Sequence, residues 1–156
     1  MATAVLPFSR LVPVNTAAIV VGRLLEIRVD AGYRSPHDVE LVARAIQREL
    51  VRLPLALRVV TVVDWRRCPL MHEEATTRLI ENLRTGNPRL ERSAALASQK
   101  SSVAVLQFLR LVREGSNVER RLFYEPEPLI EWLAEVLTPE ELTRLREFLG
   151  AGATSA

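Results

Sequence analysis

Five consecutive residues, Val59-Val60-Thr61-Val62-Val63, constrain this chain more than any other stretch. A β-branched run with almost no polar relief must be hidden on both faces, which is the situation of a strand in a parallel sheet covered by helices. Parallel neighbours cannot be joined by a tight turn, so helical crossovers must flank the run. The flanks supply them. Before it, Ser35, Pro36 and Asp38 form a helix start, and Val39, Val42, Ala43, Ile46, Leu50 and Leu53 recur at helical spacing as far as Pro54. After it, Ala75, Leu79, Ile80 and Leu83 mark a second helix over about 71–84, with Gly86 as its stop.

The rest of the chain extends the same alternation. Residues 17–21 are β-rich, Gly22-Arg23 suits a tight turn, and 24–30 alternates, with Leu25, Ile27 and Val29 on one face and Glu26 and Arg28 on the other. This predicts a β-β pair with one wet face. Residues 93–98 read as a short strand of small residues, placed there because a crossover helix follows from Ser101 or Ser102 to about Glu114-Gly115. Residues 121–124 are a last short strand. Pro126 and Pro128 open a helix carrying Leu129, Ile130, Trp132, Leu133, Val136 and Leu137. Thr138-Pro139-Glu140-Glu141 matches a capping box for a final helix with Leu142, Leu145, Phe148 and Leu149, ended by Gly150. The order β-β-α-β-α-β-α-β-α-α predicts an α/β fold: one small mixed, mostly parallel sheet with helices packed on it. One domain over 15–150 is expected, with a partly mobile arm over 1–14 and a disordered tail over 151–156.

Composition narrows the chemistry. With 48% hydrophobic residues the chain can build a core, and at 26% charged it is not a disordered polyelectrolyte. Lys100 is the only lysine among 21 basic residues, a bias that fits a GC-rich bacterial genome better than a chemical demand. Net charge is +2 with arginines scattered among acids, so no nucleic-acid partner is expected. Cys68 stands alone, and His37 and His72 lie far apart, so no disulfide, metal site or cofactor is expected. Pro7, Arg10 and Pro13 interrupt the apolar N-terminal stretch. Neither a signal peptide nor integral membrane association is expected, and the cytoplasm is the expected location.

The strand pair around Ile19-Val20-Val21 and residues 24–30, the strand ending Val62-Val63-Asp64, and Arg120-Arg121-Leu122-Phe123-Tyr124 leading to Glu131-Trp132-Leu133 carry a resemblance. Over roughly 15–137 the pattern resembles STAS-like domains, in particular the bacterial SpoIIAA-like group of anti-sigma-factor antagonists, and shares features with the CRAL-TRIO lipid-transfer fold. The resemblance implies a binding module rather than a catalyst. It also implies a phosphorylatable serine at the start of the helix after the central strand, where this chain has Cys68-Pro69-Leu70-Met71-His72. Thr76 and Thr77 lie further on, inside the helix. The serine switch is therefore absent.

Two stretches are candidate sites. The loop 64–72 follows a parallel strand at its carboxyl end, where α/β sheets usually bind ligands. Arg66 and Arg67 there suit docking of an anion or peptide; alternatively Asp64 caps backbone amides, Trp65 packs on the sheet and the arginines are solvated. Cys68 and His72 invite a thiol-nucleophile reading, yet four residues of spacing supply neither the third group nor the oxyanion site such a dyad needs. The second stretch is the helix over 103–112. Val103, Ala104, Val105, Leu106, Phe108, Leu109, Leu111 and Val112 leave only Gln107, Arg110 and Arg113 polar, a stripe far broader than one sheet can cover. The surplus is expected under the last helix or the N-terminal arm, against another subunit, or around a cavity. The charges of the last helix, Glu140, Glu141, Arg144, Arg146 and Glu147, read as a solvated face.

The leading expectation is a non-enzymatic protein-interaction module of a bacterial regulatory system, self-associating and docking a protein partner. The alternative is a carrier or sensor of an apolar small molecule held between the sheet and the helices of 71–114. The two differ in where Val105, Phe108 and Leu111 sit: a partner site exposes them, and a carrier turns them into a cavity.

Overall fold

The computed structural model describes residues 12–115 and 119–154. Most of the expected arm, residues 1–11, lies outside them. The elements are β1 (Asn15–Ile19), β2 (Leu24–Val29), α1 (Pro36–Leu50), β3 (Val59–Asp64), α2 (Glu73–Gly86), β4 (Leu90–Leu96), α3 (Ser102–Glu114), β5 (Arg120–Phe123), α4 (Pro126–Ala134) and α5 (Pro139–Thr154). This is the expected order. The strands form one mixed sheet in sequence order, β1 antiparallel to β2 and the rest parallel. No helix among the described residues is long and apolar enough to cross a membrane.

Sequential strand order places every crossover helix on one face. Leu25, Ile27 and Val29 of β2 share a core there with Val39 and Val42 of α1, Leu79 and Ile80 of α2, and Phe108 and Leu111 of α3. On the opposite face, Leu24, Val60, Val62, Ala94 and Leu96 meet Leu129, Ile130 and Leu133 of α4 and Leu145, Phe148 and Leu149 of α5. The β-branched run is thus hidden from both sides, as its composition demands. Because the order never reverses, the sheet has no topological switch point and so lacks the crevice in which doubly wound folds bind ligands.

Local chemistry sets the boundaries. β1 occupies 15–19 rather than 17–21, because Val20 and Val21 belong to the turn: Leu24 N–H donates to Val21 O, and Gly22 has a φ of 59°. A side chain at Gly22 would also collide with Glu141, whose carboxylate accepts the Arg23 N–H at 2.7 Å. β4 begins at Leu90, earlier than expected, since Leu90 pairs with the start of β3. At the head of α1 the Ser35 hydroxyl makes no cap bond; Asp38 instead accepts from the Arg34 N–H at 2.9 Å. Ser101 is the N-cap of α3, accepting from Ala104 N–H at 3.2 Å. The capping box of α5 is reciprocal: Thr138 N–H donates to Glu141 Oε1 and Glu141 N–H to Thr138 Oγ1. Gly150 does not end α5, which continues to Thr154; with no positive φ at Gly150, nothing there breaks the helix.

The wet face expected for β2 is not wet. Glu26 is buried under α5, where Arg144 donates to both its oxygens at 2.6 and 2.8 Å. Arg28 lies over the Phe148 ring at 4.2 Å and donates to Phe148 O at 2.7 Å. The alternation of β2 therefore records two buried faces of different chemistry. Glu141 and Arg144, expected on a solvated face of the last helix, are part of this inner layer.

Candidate functional site

The α3 helix divides its apolar residues between the core and the surface. Phe108 and Leu111 are fully buried, and Phe108 stacks on Trp65 with ring centroids 4.8 Å apart and planes 13° from parallel. They are neither a partner surface nor a cavity lining, in contrast to both expectations, because the broad stripe is rotated to seat them against the sheet. Val105 and Val112 are half-buried. The surface row is Val103, Leu106 and Leu109, exposed by 61%, 67% and 45%. Their three-residue spacing keeps them on one side of the helix. Leu70, also exposed, lies just before Met71, whose N–H and C=O are held by the Gln107 side chain at 3.0 and 2.8 Å. The expected cover from the last helix does not exist, since α5 packs on the other face of the sheet.

The loop after β3 is a closed polar knot. Asp64 is buried at the end of β3 and accepts from Arg28 and from the Arg66 side chain at 2.9 and 3.0 Å. It also caps the Arg66 N–H at 3.0 Å. A third Arg66 N–H donates to Leu149 O of α5 at 2.7 Å. Arg66 is thus neither a docking group nor solvated: with Arg28 it clasps the Asp64 carboxylate, and it ties the loop to α5. Arg67 remains partly exposed, 3.5 Å from Asp30, whose carboxyl burial raises against the pull of Arg67.

Cys68 has no nucleophile's setting. Burial, followed by the charge of Asp30, pushes its thiol up to about 12, and Sγ donates to Pro69 O at 3.3 Å rather than to His72. A thiol kept protonated is a poor nucleophile. His72 is exposed at the start of α2. Among the described residues no three His, Cys, Asp or Glu side chains are placed to hold a metal ion. The Trp65 indole N–H is buried without a hydrogen-bond partner among the described residues.

A third place has no counterpart in the sequence reading. Between the edge strand β1 and α1 runs an open groove of about 430 Å³. Its strand wall is Val14 to Ala17, and its helix wall is Asp38, Leu41, Ala45 and Arg48, one side of α1, with Arg34 and Arg44 at the rim. Asn15 fixes its end, donating to Gly32 O and accepting from Ala31 N–H, both at 2.9 Å. Gly32 has a φ of 77°, and a side chain there would strike Pro69. One sequence signal points here: Arg44 and Arg48 stand four residues apart on α1, like charges that repel along a helix.

No family model matches the chain, and no curated protein or solved structure matches it.

Proposed function

We propose that this chain is a non-enzymatic protein-interaction module that associates with a second copy of itself through the Val103-Leu106-Leu109 row of α3. The observation that carries the reading is the exposure of that row on a helix whose neighbours, Phe108 and Leu111, already fill the core. Water-exposed leucine and valine in a continuous strip gain by being covered, at about 1.5–3 kcal/mol for each side chain fully buried. The groups that chemistry would need are spent inside the fold, Asp64 and Arg66 on each other and Cys68 as a protonated thiol. The β-β pair followed by three helical crossovers supports reading the module as STAS-like, of the kind that lacks the serine switch. A regulatory role in a bacterial cytoplasm belongs to the same proposal, and its support is the resemblance and the arginine bias.

Nothing favours the carrier reading. The space under α3 is taken by Phe108 against Trp65. Sedimentation equilibrium on the wild type and Leu106→Glu tests the proposal. A concentration-dependent dimer is expected for the wild type and a monomer with unchanged circular dichroism for the variant. A wild type that stays monomeric at high micromolar concentration refutes it, as does a variant that dimerises equally well.

A further inference from the structure

We infer that the groove between β1 and α1 binds an acidic peptide segment, which enters extended and adds as a sixth strand to the free edge of β1. Strand and helix supply complementary halves of such a site. β1 ends the sheet, so among the described residues its outer backbone groups have no neighbouring strand. Ile19 N–H points outward, because it donates to Glu49 Oε1 at 2.7 Å. Backbone groups alternate along a strand, so Ala17 and Asn15 also present N–H and C=O to the outside, along the groove wall. Glu49 closes one end of the edge, and no described strand covers Asn15 to Ala17.

The charge on the helix wall selects the partner. Arg44 and Arg48 stand on α1 in the manner of the helix that flanks an added strand in β-augmentation sites. Arg48 makes no hydrogen bond or ion pair with the described residues. Arg44 has only the nearby charge of Glu40, a carboxylate already bonded to Arg78 at 2.7 Å. Arg34 lies at the rim with Asp38, which is the only acid of the lining. Within the groove three guanidiniums face one carboxylate, while the flanking Glu40 and Glu49 are engaged by Arg78 and by Ile19 N–H and Arg52, so the lining attracts acidic side chains and repels basic ones. Leu41, 48% exposed, and Val14 offer an apolar floor for alternate residues of the added strand. This surface lies on the far side of α1 from α3, so it is independent of the self-association row.

Fluorescence anisotropy with a labelled octapeptide alternating valine and glutamate tests the inference, with its valine–lysine counterpart as control. The acidic peptide is expected to bind and the basic one not. Arg44→Glu/Arg48→Glu is expected to weaken binding by at least roughly tenfold, because repulsion replaces attraction at two contacts. The same peptide N-methylated at alternate residues keeps its charge but loses the strand hydrogen bonds, and it is expected to bind far more weakly. Absent binding by the acidic peptide, equal binding by the N-methylated one, or an unaffected double variant overturns the inference. Two outcomes assign the groove to another occupant and overturn it as well: peptide binding only after deletion of residues 1–11, or a dimer lost in the Arg44→Glu/Arg48→Glu variant. In that variant, a retained dimer with lost peptide binding separates this site from the α3 interface.

Discussion

α3 and α5 lie on opposite faces of the same sheet, and each contradicts its own composition. α3 is almost wholly apolar, yet it exposes Val103, Leu106 and Leu109 to water. α5 alternates charges, yet Glu141 is buried and Arg144 is locked onto the buried Glu26. The difference lies in what each face offers. On the α1–α3 face, α3 meets the β5 end of the sheet and its neighbour α2, where Phe108 and Leu111 are fully buried and Ala104 partly so. The α4–α5 face offers Glu26, Arg28 and Asp64 beside its valines, so a helix covering it must bring charges and carbonyls of its own. A helix's burial is set by the surface it meets as much as by its own residues.

The sharpest way to break this comparison is within α3 itself. Phe108→Asp should leave no folded protein, because an unpaired carboxylate would replace the ring stacked on Trp65; Phe108→Ala should cost about 3–5 kcal/mol in urea denaturation. Leu106→Glu, two residues away, should change the unfolding free energy by no more than about 0.5 kcal/mol at protein concentrations low enough to keep both chains monomeric. Equal effects at the two positions would mean that the helix is rotated otherwise.

On the other face, Asp64→Ala leaves Arg28 and Arg66 without their shared carboxylate and should cost about 3 kcal/mol or more, as breaking a buried pair does. Replacing the exposed Glu74 in the same way should cost almost nothing. A small effect at Asp64, measured by thermal unfolding, would show that α5 is not held by this knot.

The smallest effect is in alkaline stability. Burial favours the neutral thiol of Cys68, so the folded chain keeps this proton where the unfolded chain has already lost it. The contribution is whole below the ordinary 9.0 and declines as pH rises from there towards about 12. Tyr33, buried beside it and also raised, acts in the same sense. Cys68→Ala should therefore flatten the fall of stability above about pH 9. An unchanged slope would place the thiol in water.

The layer order was legible in the sequence because Val59 to Val63 and the helical stripes around them carry strong periodic signals. The capping box of α5 was equally plain. What escaped were features fixed by residues far apart in the chain. Glu26 and Arg28 read as solvent-facing because their partners, Arg144 and Phe148, lie over a hundred positions away. The α3 stripe carries its breadth and not its rotation, so the pattern alone does not separate the buried Phe108 and Leu111 from the half-buried Val105. The β1–α1 groove left no local trace beyond the arginine spacing of α1, since an edge exists only once the whole sheet is ordered.

Carbene footprinting read residue by residue along α3, in dilute and in concentrated protein, tests the central claim most directly. Val103, Leu106 and Leu109 should label strongly when dilute and become protected on concentration, while Phe108 and Leu111 stay unlabelled throughout. Protection of the row at every concentration would contradict its exposure. Labelling undiminished at the highest concentration would contradict its role as the self-association surface.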